Sequence, residues 1–118
     1  MCHSIKTLSK VKSGELSFCC QCGIYHLEFN NIYFEFSRKE FEQFKAYILD
    51  IEMDYWEHRY AMAKLKRKIP IPSMQQNLVL MFKNQEIREL QMLLTTSTKD
   101  VFNSCLNIAE IDYKFILN

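Results

Sequence analysis

The chain has 118 residues, with 15 lysines and arginines against 14 aspartates and glutamates and a formal charge of +1, so no global field draws it to nucleic acid or acidic lipid. Hydrophobic residues make up 48% and aromatics 14%, with only two glycines and two prolines, a composition that excludes a disordered chain and fits one folded domain over residues 1–118. Residues 1–14 lack the apolar stretch of a signal peptide, and no segment reaches the about 20 apolar residues of a membrane span. Five cysteines, an odd count, together with no export signal, point to a reducing cytoplasm rather than a disulfide scaffold.

Residues 5–11 and 15–20 flank Lys12, Ser13 and Gly14 and read as a first hairpin. Tyr25, Leu27 and Phe29 alternate onto one face of a third strand, and Ile32, Phe34 and Phe36 onto one face of a fourth, across the turn residues Asn30 and Asn31. Ser37 followed by Glu40 is a capping box, in which hydroxyl and carboxylate each satisfy an orphan amide at a helix start. Phe41, Phe44, Ile48, Ile51 and Tyr55 then recur at spacings of three and four, the stripe of a half-buried helix, and Tyr47 widens it. No breaker intervenes before Pro70, so this helix is free to continue through Trp56, Tyr60 and Leu65. Ile69 and Ile71 alternate with Pro70 and Pro72, which withhold two amides from a ladder and so mark an edge strand. Residues 78–82 form the returning strand. Asn84 caps a second helix carrying Ile87, Leu90, Leu93 and Leu94, and Ser97 with Asp100 opens a last one carrying Val101, Phe102, Cys105, Ile108 and Ala109.

Residues 31–48 fall on residues 77–94 without a gap at an offset of 46 positions. Asn31 meets Asn77, Phe36 meets Phe82 and Glu40 meets Glu86, and apolar positions meet apolar positions except where Met81 falls on Glu35. The expected fold is α+β: an antiparallel sheet with helices on one face, two β-hairpin-helix units at about 23–50 and 69–96, and a C-terminal helix. On the far face Tyr33 and Glu35 correspond to Val79 and Met81. That face is only half polar, which implies a cover: the last helix, a second subunit or a ligand.

Chemistry concentrates near the start, in Cys2, His3, Cys19, Cys20, Cys22 and His26. Cys19 and Cys22 have C-x-x-C spacing and Gly23 follows, the order in which a tight turn aims two thiolates at one ion. A structural zinc site would draw on Cys2, Cys19 and Cys22 with one histidine, His3 or His26. The competing reading is that reduced cysteines fill a strand-rich core. A closed four-ligand site would stabilise folding without an open coordination position, so even zinc makes no enzyme here. Arg59, Lys64, Lys66, Arg67 and Lys68 form a basic run near Tyr55, Trp56 and Tyr60, a pattern that would suit a single-stranded nucleic acid. A solvated helix end explains it as well. No phosphate-cradling glycine loop, G-x-S-x-G elbow or H-E-x-x-H pair is present, and His58 beside Glu57 reads as an exposed side chain rather than a general base.

The stretches CCQCGIYHLEFNNIYFEF and RKIPIPSMQQNLVLMF resemble those of an uncharacterised bacterial family known only as a domain of unknown function. The resemblance covers most of the chain and implies a small cytoplasmic bacterial protein, with no activity or site residue attached. The expectation is a non-enzymatic interaction module whose partner is a protein, a second copy first of all, with no membrane contact. A single-stranded nucleic-acid binder is the alternative.

Overall fold

A computed structural model describes residues 5–95. Four strands, β1 (Ile5–Val11), β2 (Gly14–Cys19), β3 (Ile24–Phe29) and β4 (Ile32–Phe36), form an antiparallel sheet in chain order. The period-two pattern dictates its faces, because a residue and its cross-strand partner share a side. Phe18 pairs with Tyr25 and Tyr25 with Phe36; Leu16 pairs with Leu27 and Leu27 with Phe34. These residues line the inner face, with Leu16, Tyr25, Leu27 and Phe29 fully buried. The outer face carries Glu15, Ser17 and Cys19 from β2, His26 and Glu28 from β3, and Tyr33 and Glu35 from β4. At the β3–β4 turn Asn30 adopts φ 52°, a left-handed conformation that asparagine tolerates better than other side-chain-bearing residues. Its N–H donates to Ser13 O at 2.7 Å, tying the two hairpin turns together.

Helix α1 (Arg38–Leu49) opens on the expected box: Glu40 N–H donates to Ser37 Oγ at 3.2 Å, and Ser37 N–H donates to Glu40 Oε1 at 2.9 Å. Phe41 and Ile48 are buried from it, and the Phe41 ring stacks on Tyr25 at 3.9 Å and 5°. The helix does not run on past Leu49. Its C-cap is Asp50, and a separate helix α2 (Met53–Arg59) follows. Ile51, Met53 and Trp56 all pack against the core. Residues two apart do not share a helix face, and the break between α1 and α2 lets the partly buried Ile51 and Met53 both pack against the core.

Strands β5 (Ile69–Pro72) and β6 (Val79–Phe82) precede α3 (Asn84–Thr95). Helices α1 and α3 have the same length, and their bounds differ by the 46 positions of the sequence offset. Both helices lie on the inner face and touch one another, α1 over β3 and β4 and α3 over β1 and β2. The architecture is thus α+β with helices on one face. The second hairpin, however, forms a two-stranded sheet of its own. It joins the first through side chains: Phe82 meets Phe29 edge-on at 5.9 Å, and Ile69, Ile71 and Phe82 enter the same core. The expected helix over residues 97–109 lies outside the described residues.

The cap of α3 differs from expectation. Asn84 is its first residue, and the residue before it, Lys83, donates its N–H to Glu86 Oε1 at 2.8 Å. This is half of the Ser37–Glu40 box, because lysine at the position of Ser37 has no oxygen to return. Glu86 also receives Arg67 Nε at 2.9 Å, Arg67 Nη2 at 3.3 Å and Asn30 Nδ2 at 3.3 Å. Burial works against the charge of Glu86, but the bonds from Arg67 and the Lys83 amide outweigh it and hold the carboxyl below its ordinary range. A depressed carboxyl contributes stability above its unfolded pKa and loses it as pH falls through the folded value. Glu86→Gln is therefore expected to cost about 1–2 kcal/mol at pH 7, since Arg67 stays half in water. Urea midpoints of variant and parent should converge as pH falls through the folded value; a gap independent of pH would show that the charge is not what matters.

Candidate functional site

The chain between β2 and β3 turns over residues 19–23. Gly23 N–H donates to Cys19 O at 2.8 Å, and Cys22 N–H points at Cys19 Sγ at 3.4 Å. Gly23 sits at φ +68°, with nothing within 4 Å of where a Cβ would stand. The sequence folds this way because only glycine enters the left-handed region without strain, and that turn swings residue 22 back over residue 19. Cys19 is buried and Cys22 exposed, both as thiols. Cys20 differs from the reduced state expected for it: it is disulfide-bonded, which withdraws its sulfur from any ligand set.

His26 stands on the same face as Cys19, beside Ser17 of β2 and Glu35 of β4. Its Nδ1 lies 2.5 Å from the Tyr33 hydroxyl, which donates to Glu35 Oε1 at 3.2 Å. A hydroxyl has one proton, so with that proton on Glu35 the imidazole Nδ1–H is the donor of the shorter bond. Nε2 is buried with no hydrogen-bond partner among the described residues. An imidazole fixed through Nδ1 by a carboxylate relay, with Nε2 unpartnered, is how a metal-ligating histidine is commonly held. Sequence reasoning chose His26 but not Tyr33 and Glu35 as its partners. The hairpin register carried that signal, since a turn at Asn30 and Asn31 sets Glu35 opposite His26.

Among the described residues no group of three or more His, Cys, Asp or Glu side chains is placed to hold an ion. Cys2 and His3, the other two expected ligands, lie outside them. The turn and His26 therefore make up at most part of a site. A family model described as a family of unknown function (DUF6686) matches residues 1–118. The chain belongs to that family. No curated protein and no solved structure matches it. Membership in DUF6686 assigns no residue a role, so the functional reading rests on geometry.

In this DUF6686 member the basic run is largely committed to its own fold. Arg59 donates to the Tyr55 hydroxyl at 3.0 Å and lies 5.8 Å from the Trp56 ring centre and 6.0 Å from that of Tyr60. Trp56 and Tyr60 already stack on each other at 6.0 Å and 9°. Arg67 holds Glu86. Lys68 Nζ donates to the carbonyls of Tyr60 at 2.8 Å and Ala61 at 3.1 Å, closing the end of α2 where the last carbonyls lack helical partners. Lys64 and Lys66 make no such bond among the described residues. His58 is exposed. No helix among the described residues is long and apolar enough to cross a membrane.

Proposed function

We propose that this chain is a non-enzymatic interaction module whose partner is a second copy of itself, with a structural zinc ion bound through the turn at residues 19–23. The observation that carries the reading is that the second hairpin exposes apolar side chains, as Met62, Leu65 and Met92 do elsewhere in the fold. On the second hairpin Met74 is 91% exposed, Leu78 47% and Val79 49%. The polar groups with chemical capacity meanwhile bond to one another: His26 with Tyr33 and Glu35, Arg67 with Glu86, Lys68 with helix carbonyls. An apolar hairpin beside a polar surface that satisfies itself suits a protein partner better than a substrate.

The zinc part is supported by the Cys22 amide directed at Cys19 Sγ and by the bare Nε2 of His26. Cys19, Cys22 and His26 would hold the ion with His3 or, where its sulfur is reduced, Cys2. Zinc held by four such ligands contributes to folding and leaves no position for catalysis.

One measurement tests both parts. Native mass spectrometry of protein purified without chelator is expected to show two chains and one zinc per chain, the metal leaving on acidification. A single-chain mass would overturn self-association. A metal-free mass would return the cysteines to their role as core residues.

A further inference from the structure

The proline pattern of β5 determines which way β6 faces. In the ladder Ile69 pairs with Phe82, Pro70 with Met81, Ile71 with Leu80 and Pro72 with Val79. A proline has no N–H, so Pro70 and Pro72 cannot occupy hydrogen-bonded pairs, and those pairs must be Ile69 with Phe82 and Ile71 with Leu80. The bond from Ser73 N–H to Leu78 O at 3.4 Å continues the same alternation. Leu80 and Phe82 therefore turn their backbone groups toward β5. Val79 and Met81 turn theirs away, and no described residue bonds to them. They line an open groove of about 640 Å³ that also includes Asn30, Asn31 and Ile32.

The other edges carry features that discourage strand addition. β1 has a register break between Thr7 and Ser9, with Lys6 and Lys10 to either side. β5 has its two prolines. β4 presents Glu35, charged and exposed. β6 reads Val-Leu-Met-Phe, with no charge, proline or bulge. An unprotected apolar edge with its donors and acceptors turned outward invites another strand.

We infer that this edge pairs with the same edge of a second copy, antiparallel about a twofold axis at Leu80, giving a continuous sheet β5-β6-β6-β5. The inference rests on the self-association proposed above and names its surface. A twofold axis normal to the sheet keeps side chains on their own face, so the two members of each cross-strand pair must share a face. Centred on Leu80, the register sets Val79 opposite the partner's Met81, twice, and Leu80 opposite the partner's Leu80. Val79 and Met81 are the two residues with outward N–H and C=O groups, so each pair closes two hydrogen bonds, four in all. Leu78 meets the partner's Phe82, and no charge opposes a like charge. Centred one residue later on Met81, the register would set Lys83 against the partner's Val79 and bring together side chains less well matched. The edge is complementary to itself in the register centred on Leu80, and a second copy satisfies it.

Met81→Pro removes one outward N–H and leaves the bonds to β5 intact, and Val79→Lys sets a charge at the seam. Sedimentation of the full chain is expected to show a dimer for the parent and at least tenfold weaker association for each variant. Hydrogen exchange should find the Val79 and Met81 amides protected in the parent dimer, with the Val79 amide exchanging fast in Met81→Pro while the Leu80 and Phe82 amides stay protected. The last observation shows that the hairpin of the variant is folded. A monomeric parent overturns both this inference and the self-association beneath it. A dimer that withstands both variants, or in which the Val79 and Met81 amides exchange freely, overturns the edge pairing alone and leaves self-association standing.

Discussion

Phe41→Ala is expected to destabilise the protein by about 4 kcal/mol, near the upper range for removal of a buried aromatic ring. Phe41 is fully buried and stacks face to face on Tyr25, while Phe18 and Phe36 close around that pair at 4.6 Å from Tyr25 and 6.4 Å from Phe41. The ring is the joint between α1 and the sheet, so truncation leaves a cavity walled by a strand that is hydrogen-bonded on both sides and cannot collapse inward. Against a total of about 5–15 kcal/mol for a domain, such a loss would be a large share of what holds the fold together. The check is a urea titration: the midpoint should fall with the slope unchanged. A loss below about 1 kcal/mol would mean that the site collapses or that the helix is only loosely seated.

Tyr25→Phe is the companion variant and should have the opposite sign. The Tyr25 hydroxyl is buried with no partner among the described residues, so deleting it removes an unsatisfied group, and the variant should match or exceed the parent by up to about 1 kcal/mol. Burial pushes the Tyr25 phenol above its ordinary value, the charge of Glu42 adds to this, and Arg38 opposes it. A raised phenol contributes stability that is complete below its unfolded pKa and is lost as pH rises toward the folded value. The parent should therefore weaken above about pH 10, and Tyr25→Phe should weaken less.

The parts of this fold legible in the sequence were those governed by local periodicity. Alternation across Tyr25, Leu27 and Phe29 placed a strand, and Ser37 with Glu40 placed a helix start, because neighbouring residues decide both. The offset of 46 positions matched two helices of equal length. The break after Leu49 was not legible, because the stripe at Phe44, Ile48 and Ile51 is continuous. What ends the helix is the second demand of Met53 and Trp56 on the core, a tertiary effect. The separation of the second hairpin into its own sheet was equally hidden, since strand patterns show which face is apolar and not which edges meet. At the candidate site, spacing identified Cys19, Cys22 and Gly23, whereas the relay through Tyr33 to Glu35 depends on register across β3 and β4. The contacts of the basic run were hidden for a related reason: whether a lysine reaches solvent or a helix end depends on where the chain turns back, as Lys68 does onto Tyr60 and Ala61.

Gly14→Ala should be the second costly substitution, at about 3 kcal/mol, and its cause is steric crowding rather than backbone freedom. Gly14 follows Lys12 and Ser13 and so looks like a turn residue. In the fold it is the first residue of β2, paired with Val11 on one side and Phe29 on the other. A Cβ there would stand 2.2 Å from Glu28 O, 3.0 Å from Phe29 Cα and 3.1 Å from Phe29 Cδ2. The nearest of these atoms is backbone, so no side-chain rotation relieves the overlap. The added methyl must part β2 from β3 at the point where Phe29 is fully buried against Phe82. Gly23 provides the control, because space around it is open and only its φ of +68° resists a side chain. Gly23→Ala should therefore cost about 1–2 kcal/mol, the penalty of the left-handed region alone. If the two alanine variants melt together, crowding between β2 and β3 is not what selects glycine at position 14. If Gly14→Ala melts well below Gly23→Ala, the close approach of β3 is the reason a glycine stands there, and the joint between the two hairpins depends on it.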